Sequence, residues 1–266
     1  MAPKTWHLTH LRGLMTFTRL NRSVQILNIV AVVALVINLW MIFFYAPTEL
    51  TMGNVQRILY FHVGSAWVGA VAMLMALSFG IWYLIRPHKR WDTLVVASVE
   101  IGLVFITMTT AAGSIWGKPA WNTWWLWSSP RLTAIAIAWL TYAAFFMLRG
   151  AIEDEERRAR FSAVYAIVAF VTIIMAYVSI RVLRDIHPVL IGGTLESAQG
   201  ASQGDSEFAS GLDSARMGIT MMSSTIVFTI IYIAWLLNRI RLQYLIDTTN
   251  RLKLRVSAKL QGASGD

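Results

Sequence analysis

The sequence predicts an all-α integral membrane protein, one membrane domain over residues 1–266 with six transmembrane helices and both termini cytoplasmic. Three observations predict it. The 266-residue chain is 56% hydrophobic and only 14% charged, with a mean hydropathy of +0.56, whereas soluble domains carry about 25% charged residues. Six apolar runs are long enough for the ~20 residues that cross a ~30 Å hydrocarbon core as a helix. Finally, Lys and Arg are distributed unevenly between alternate connecting segments, the asymmetry that sets membrane orientation.

The runs cover 24–45, 58–85, 93–115, 132–148, 161–182 and 218–237, the fourth being the shortest. The first follows a polar N-terminal segment and is too long for the apolar region of about 7–15 residues in a cleaved signal peptide, so it is expected to remain as a helix. Arg86-Pro87-His88-Lys89-Arg90 reads as a tight basic turn between the second and third runs. Glu153-Asp154-Glu155-Glu156-Arg157-Arg158 reads as a charged helix end between the fourth and fifth. Beyond Leu237, Ile240, Leu242, Leu245, Ile246, Leu252 and Leu254 alternate with Arg and Lys. This predicts a basic cytoplasmic tail over 239–266, an amphipathic helix suited to lying on the inner membrane surface.

Of the 23 basic residues, four precede the first run (Lys4, Arg12, Arg19, Arg22) and three lie in the second loop (Arg86, Lys89, Arg90). Four more lie in the fourth loop (Arg149, Arg157, Arg158, Arg160) and six follow the last run (Arg239, Arg241, Arg251, Lys253, Arg255, Lys259). The other side holds six: Arg57, Lys118, Arg131, Arg181, Arg184 and Arg216. The excess marks the cytoplasmic side, so loops one, three and five face outward. The net charge of +9 then reflects loops beside anionic headgroups rather than nucleic-acid binding.

The chain has no cysteine, which excludes disulfides, thiolate metal sites and a cysteine nucleophile. No nucleotide-binding loop is legible, so the chain is read as a non-enzymatic protein without its own ATPase. Chemistry must come from other side chains, and the outward side has them. Five of the 12 Trp fall in loop three, at Trp116, Trp121, Trp124, Trp125 and Trp127. An interfacial aromatic belt is the simpler explanation for Trp near span ends, but a belt scatters its Trp over every end. An aromatic platform over 116–131 for a large flat or cationic ligand fits the concentration better.

Two histidines share that side. His62 sits about one turn into the second run, in Phe61-His62-Val63-Gly64, and His187 follows the fifth run beside Pro188, in an outward loop over 183–217. Singly, each reads as a hydrogen-bonded structural histidine. Together, two imidazoles from separate segments could clamp a haem iron from opposite faces. Haem propionates need cations, and Arg57, Lys118, Arg131 and Arg184 map to the same side. His7, His10 and His88 read as solvent or headgroup residues. Glu100, the one acid deep within a run, is expected to bond a neighbouring helix or stay protonated rather than to serve as a ligand or proton carrier. Gly64, Ser65, Gly69, Gly113 and Ser114 read as helix-contact positions.

These residues resemble the tryptophan-rich (WWD) haem-handling membrane proteins of the cytochrome c maturation system, of CcmC type. The resemblance rests on Trp116-Gly117-Lys118-Pro119, on Trp124-Trp125 and Trp127, on Arg131-Leu132-Thr133, on His62 ahead of Ser65-Ala66-Trp67, and on His187-Pro188, and covers about 24–237. It implies transient b-type haem bound at the outer face of the inner membrane, with His62 and His187 as axial ligands. Trp116, Gly117, Pro119, Trp121, Trp124, Trp125 and Trp127 would form the haem-binding loop. It also implies partners: a CcmE-like haem chaperone that takes the haem through its own histidine, a CcmD-like single-span subunit and a CcmA/CcmB-like ABC transporter pair.

The chain departs from the family pattern at four places. The acidic residue expected after the last Trp is replaced by Ser128-Ser129 ahead of Pro130, with one residue inserted. Asn122 stands where Gly is usual, and Gly64 where Pro is usual after His-Val. The fifth loop is longer than expected, with Gly192-Gly193 and a polar stretch over 199–211 that reads as flexible. Two other functions compete with haem delivery. A cytochrome b-like electron-transfer subunit would also use paired histidines, but within the spans rather than at one edge. A small-molecule transporter with a Trp-lined outer site needs a path across the bilayer, to which only Glu100 points.

A reporter domain fused after Lys259 should be inaccessible from outside intact cells. Labelling of that reporter by an impermeant reagent would reverse the orientation.

Overall fold

The computed structural model of the chain describes residues 5–50, 52–183, 187 and 214–263. Helix α1 (Thr5–Trp40) passes directly into a π-helical turn, Met41–Tyr45, and a 3-10 turn, Asn54–Arg57, leads into α2 (Ile58–Ile85). Then follow α3 (Lys89–Trp121), α4 (Pro130–Gly150), α5 (Glu155–Val182) and α6 (Ala215–Ala263). All six are long and apolar enough to cross a membrane. Their lateral faces carry exposed Ile, Val, Phe and Trp throughout, as a surface solvated by lipid requires, while backbone polar groups are satisfied within each helix.

Helix starts follow from local chemistry. The His88 ring nitrogen accepts from the Arg90 amide at 3.1 Å and caps α3, with Asp92 in the first turn. Asp154 caps α5 by accepting from Arg157 N at 2.7 Å, with Glu155 and Glu156 following. Both arrangements put acceptors and negative charge at the positive end of the helix dipole. His88, expected in solvent or headgroups, therefore has a structural task.

The central pair is α2 and α3. On one side Met73, Val95, Val99, Ile106, Tyr142, Phe145 and Ala166 knit α2 and α3 to α4 and α5. On the other, Val68, Ala72, Ile101, Phe105, Phe228 and Tyr232 join them to α6, against which α1 packs. Within an apolar solvent, polar side chains specify these pairings. Asn238 donates to Asn28 at 2.7 Å and Ser224 to the fully buried Asn38 at 3.1 Å, pinning α1 to α6. A methyl added at Gly69 would lie 3.0 Å from Ile106 Cγ1, so the bare backbone there sets the α2–α3 spacing.

Ion pairs gather at the end of the bundle nearer the termini. Arg149 grips Asp92 through two bonds of 2.6 and 3.1 Å. Glu100 receives the Arg239 fork at 2.6 and 3.3 Å. Its partner is thus a neighbouring helix, as the sequence suggests, and that partner is a cation.

Helices α1 and α5 begin ahead of their apolar runs, at Thr5 and Glu155, and two further boundaries differ from the sequence reading. Helix α3 does not end near residue 115 but runs through Trp121, so the first six residues of the expected tryptophan loop are helical. Helix α6 does not break at Leu237. Its 49 residues would extend about 70 Å at 1.5 Å per residue, and Asp247 ties the extension back to Lys89 at 3.2 Å. The tail therefore continues the last span instead of starting a separate surface helix. Of the expected fifth loop, Arg184, Pro188, Gly192-Gly193 and 199–211 lie outside the described residues.

Candidate functional site

The segments that follow α1 and α3 share one end of the bundle with His187, and there the aromatic rings converge. His62 lies in the second turn of α2 and faces α3, where its Nδ1 is 2.9 Å from the carbonyl oxygen of Thr109. A carbonyl only accepts, so Nδ1 carries the proton and donates. In the neutral ring this leaves the Nε2 lone pair available to a metal. The Thr109 hydroxyl lies 2.9 Å from Ser65 Oγ and 2.8 Å from Phe105 O, two acceptors for its single proton, and the Ser65 hydroxyl lies 2.7 and 3.0 Å from Phe61 O and His62 O. Polar groups inside an apolar bundle need such partners, and here they also fix the helix turn that carries His62.

One face of α3 supplies the rest. Thr109, Gly113, Gly117 and Trp121 follow at four-residue intervals and so form a single row along the helix. A Cβ at Gly113 would lie 2.7 Å from His62 Cε1 and 3.0 Å from its Nδ1, so the imidazole rests against bare backbone. A Cβ at Gly117 would lie 3.0 Å from Trp121 Cε3, so the Trp121 ring folds back over its own helix. Trp121 meets Trp116 edge-on, with centroids 5.3 Å apart at 85°, and approaches His187 at 6.5 Å. His187 stands 6.0 Å from His62, with ring planes inclined by 38°. The two candidate histidines are thus neighbours, and Trp116 and Trp121 continue the same run of rings.

The remaining tryptophans divide by exposure. Trp116 is buried, Trp121 and Trp125 are half-buried, and Trp124 and Trp127 are 57% and 70% exposed. Trp125 and Trp127 pack edge to face at 5.6 Å. The indole nitrogens of Trp116 and Trp125 are buried with no acceptor among the described residues, and a buried donor left unpaired is costly. Pro119 lies inside the last turns of α3 with its ring exposed.

Of the four cations read from sequence, Arg57, Lys118 and Arg131 are already engaged with the protein, and Arg184 lies outside the described residues. Arg57 donates to Ile42 O, to Asn54 Oδ1 at 3.1 Å and to Thr48 Oγ1 at 3.4 Å, bracing the end of α1 against the start of α2. Lys118 Nζ reaches the Asn122 carbonyl at 3.1 Å, closing the C-terminus of α3, where a cation is favoured. Arg131 donates to Ala176 O of α5 at 3.0 Å.

Two departures from the family pattern become intelligible as backbone requirements. Asn122 has φ 55° and ψ 18°, in the left-handed region, and ends α3. Gly and Asn are the residues that take this position most readily. Ser129 is buried, accepts from Leu132 N at 3.2 Å and precedes Pro130 at the first position of α4. Asp and Ser are both good helix caps, so a serine ahead of this Pro-Arg-Leu-Thr keeps the capping that an aspartate would provide. Gly64 differs in kind: a Cβ there would lie 3.0 Å from the Phe228 ring, so this chain brings α6 close to α2. Sequence reasoning named Gly113 only as a packing position and missed Thr109 altogether. Their four-residue spacing on one face was the available signal.

The family model described as "CcmC: Heme exporter protein C" matches residues 7–255. A protein named "Heme exporter protein C" from Escherichia coli strain K12 is 31% identical over 162 residues, 60% of this chain and 65% of that protein. One of the same name from Rhodobacter capsulatus is 31% identical over 134 residues, 50% of this chain and 55% of the relative. A "Putative cytochrome c biosynthesis ccmC-like mitochondrial protein" from Marchantia polymorpha is 26% identical over 154 residues, covering 58% and 63%. The chain thus spans between half and two thirds of the length of the relatives it matches.

Replacing Asn122 by Val, whose branched side chain resists positive φ, should lower the thermal stability of the purified protein by about 1–2 kcal/mol. Asn122→Gly should leave it within about 0.5 kcal/mol of the parent. Thermal unfolding in detergent reads both.

Proposed function

The chain belongs to the CcmC, or heme exporter protein C, family, and from that premise we propose that it binds haem as cargo and hands it on for c-type cytochrome assembly. In this reading the aromatic end of the bundle faces away from the cytoplasm, His62 and His187 are the axial ligands, and the Trp segment holds the macrocycle. The role is binding and delivery, without catalysis of its own.

The observation that carries the reading is the histidine pair. Two metal–imidazole bonds of about 2 Å on opposite sides of one metal, with about 1 Å more from each nitrogen to its ring centre, separate the rings by about 6 Å. The measured separation is 6.0 Å. The bond from His62 Nδ1 to Thr109 O favours Nε2 as the ligating atom, the outer-shell arrangement usual for metal-bound histidine. The indole N–H groups of Trp116 and Trp125 offer donors to the polar edge of such a ligand, and Arg131 offers charge for a propionate. Exposed Trp124 and Trp127 give the ligand an apolar flank that a receiving protein can replace.

Placement at one edge also favours delivery over electron transfer. A ligand held by two imidazoles at the surface can be released by exchanging one at a time for a donor on an acceptor protein. The acceptor proposed is a CcmE-like chaperone, with a CcmD-like single-span subunit alongside. A CcmA/CcmB-like transporter pair would supply the energy for release.

The test is the absorption spectrum, oxidised and reduced, of the detergent-purified chain expressed alone, beside His62→Ala and His187→Ala. The parent should show six-coordinate haem, and each variant should lose that signature with haem content reduced at least about tenfold, the loss that even an outer-shell partner can bring. Parental haem content and spectrum in both variants would overturn the assignment.

A further inference from the structure

We infer that Gly113 is a positioning residue for haem ligation, acting with the Thr109 carbonyl to fix both the height and the tautomer of the His62 ring. The inference rests on the reading of His62 as an axial ligand and goes beyond it by naming what sets that ligand's strength. Gly113 stands one turn beyond Thr109 on the same face of α3, and the two make one seat. The Thr109 carbonyl takes the Nδ1 proton at 2.9 Å. The missing side chain at Gly113 leaves room for the ring edge, since a Cβ there would lie 2.7 Å from Cε1, 3.0 Å from Nδ1 and 3.8 Å from Nε2.

Contacts under 3 Å between carbon atoms cannot persist, so a methyl at Gly113 forces a displacement. The conflicting atoms belong to a side chain with two rotatable bonds, so the ring gives way while the helices stay packed. Moving the ring away from α3 stretches the bond from Nδ1 to Thr109 O and changes the direction of the Nε2 lone pair. A hydrogen bond from the distal nitrogen to a carbonyl raises the basicity of the ligating nitrogen and holds its orientation. Its loss weakens the iron–imidazole bond and disfavours ferric iron relative to ferrous. Gly69 provides the contrast: a methyl there meets Ile106, a packing contact without a bond to either histidine.

The experiment compares the parent, Gly113→Ala, Gly69→Ala and His62→Ala, each purified in detergent and titrated with haem. The readouts are affinity, spin state and midpoint potential. Gly113→Ala should bind haem about 10- to 100-fold more weakly, the range for lost outer-shell partners. It should shift part of the haem from six-coordinate low spin to five-coordinate high spin and raise the midpoint potential, and added imidazole should restore the low-spin spectrum. Gly69→Ala should keep the parental spectrum and potential. If His62→Ala loses its haem signature while Gly113→Ala keeps parental affinity, spin state and potential, the positioning role is wrong and the ligand reading stands. If His62→Ala itself keeps the parental spectrum, the ligand reading fails. Should Gly113→Ala not fold, the same substitution is made in His62→Gly, where no ring contests the space. Recovery of folding there supports the seat, and continued misfolding overturns it.

Discussion

The hydrogen bond from His62 Nδ1 to the Thr109 carbonyl is the constraint on which the aromatic end depends. An imidazole embedded among apolar helices needs a partner for its N–H, and a helical carbonyl has a second lone pair to give. Reaching it requires α2 and α3 to come close, and close approach requires small residues along the facing row. Gly113 meets that need beside the ring, and Gly117 meets it one turn further on, where Trp121 folds back toward His187. The same row therefore satisfies a polar group, admits a ring and aims a second ring.

The remainder of the fold keeps that row in place. Helices α4 and α5 lock against α2 and α3 through Tyr142 and Phe145, both fully buried. At the opposite end Asp92 and Arg149 are each largely buried and bonded to one another, and Arg149 also donates to Ser162 of α5 at 2.7 Å, so the ends of α3, α4 and α5 cannot slide independently. Ser129 starts α4 and Asn122 ends α3. Between these two backbone-determined points the Trp segment has only a short span in which to turn, with Thr123 bonded to Trp125 O and Thr133 to Trp127 O.

The spans were legible because lipid leaves a strong compositional signal. Trp116, Trp121, His62 and His187 stood out by residue type, and the structure brings their rings into one run. What escaped the sequence was carried by backbone atoms or by absence of a side chain. Thr109 contributes a carbonyl that every residue possesses, and Gly113 contributes space. The sequence ends α3 too early because Lys118 and Pro119 interrupt the hydropathy, although the helix continues through Pro119 to Trp121. The tail was detached from α6 for the same reason: Asn238 and Arg239 end the apolar run but are good enough helix residues to let the helix pass, with Asn238 bonded to Asn28 and Arg239 to Glu100. Arg57, Lys118 and Arg131 are legible in the sequence as loop cations, while their engagement with Ile42, Asn122 and Ala176 carbonyls depends on helix packing that no spacing rule conveys.

The proposed site holds one haem iron between His62 and His187. Electron paramagnetic resonance of the oxidised protein, with histidine labelled at its ring nitrogens, tests it most directly. A low-spin ferric signal with hyperfine coupling to two imidazole nitrogens is expected. A signal coupled to a single imidazole, or a high-spin ferric signal from the parent protein, would contradict it.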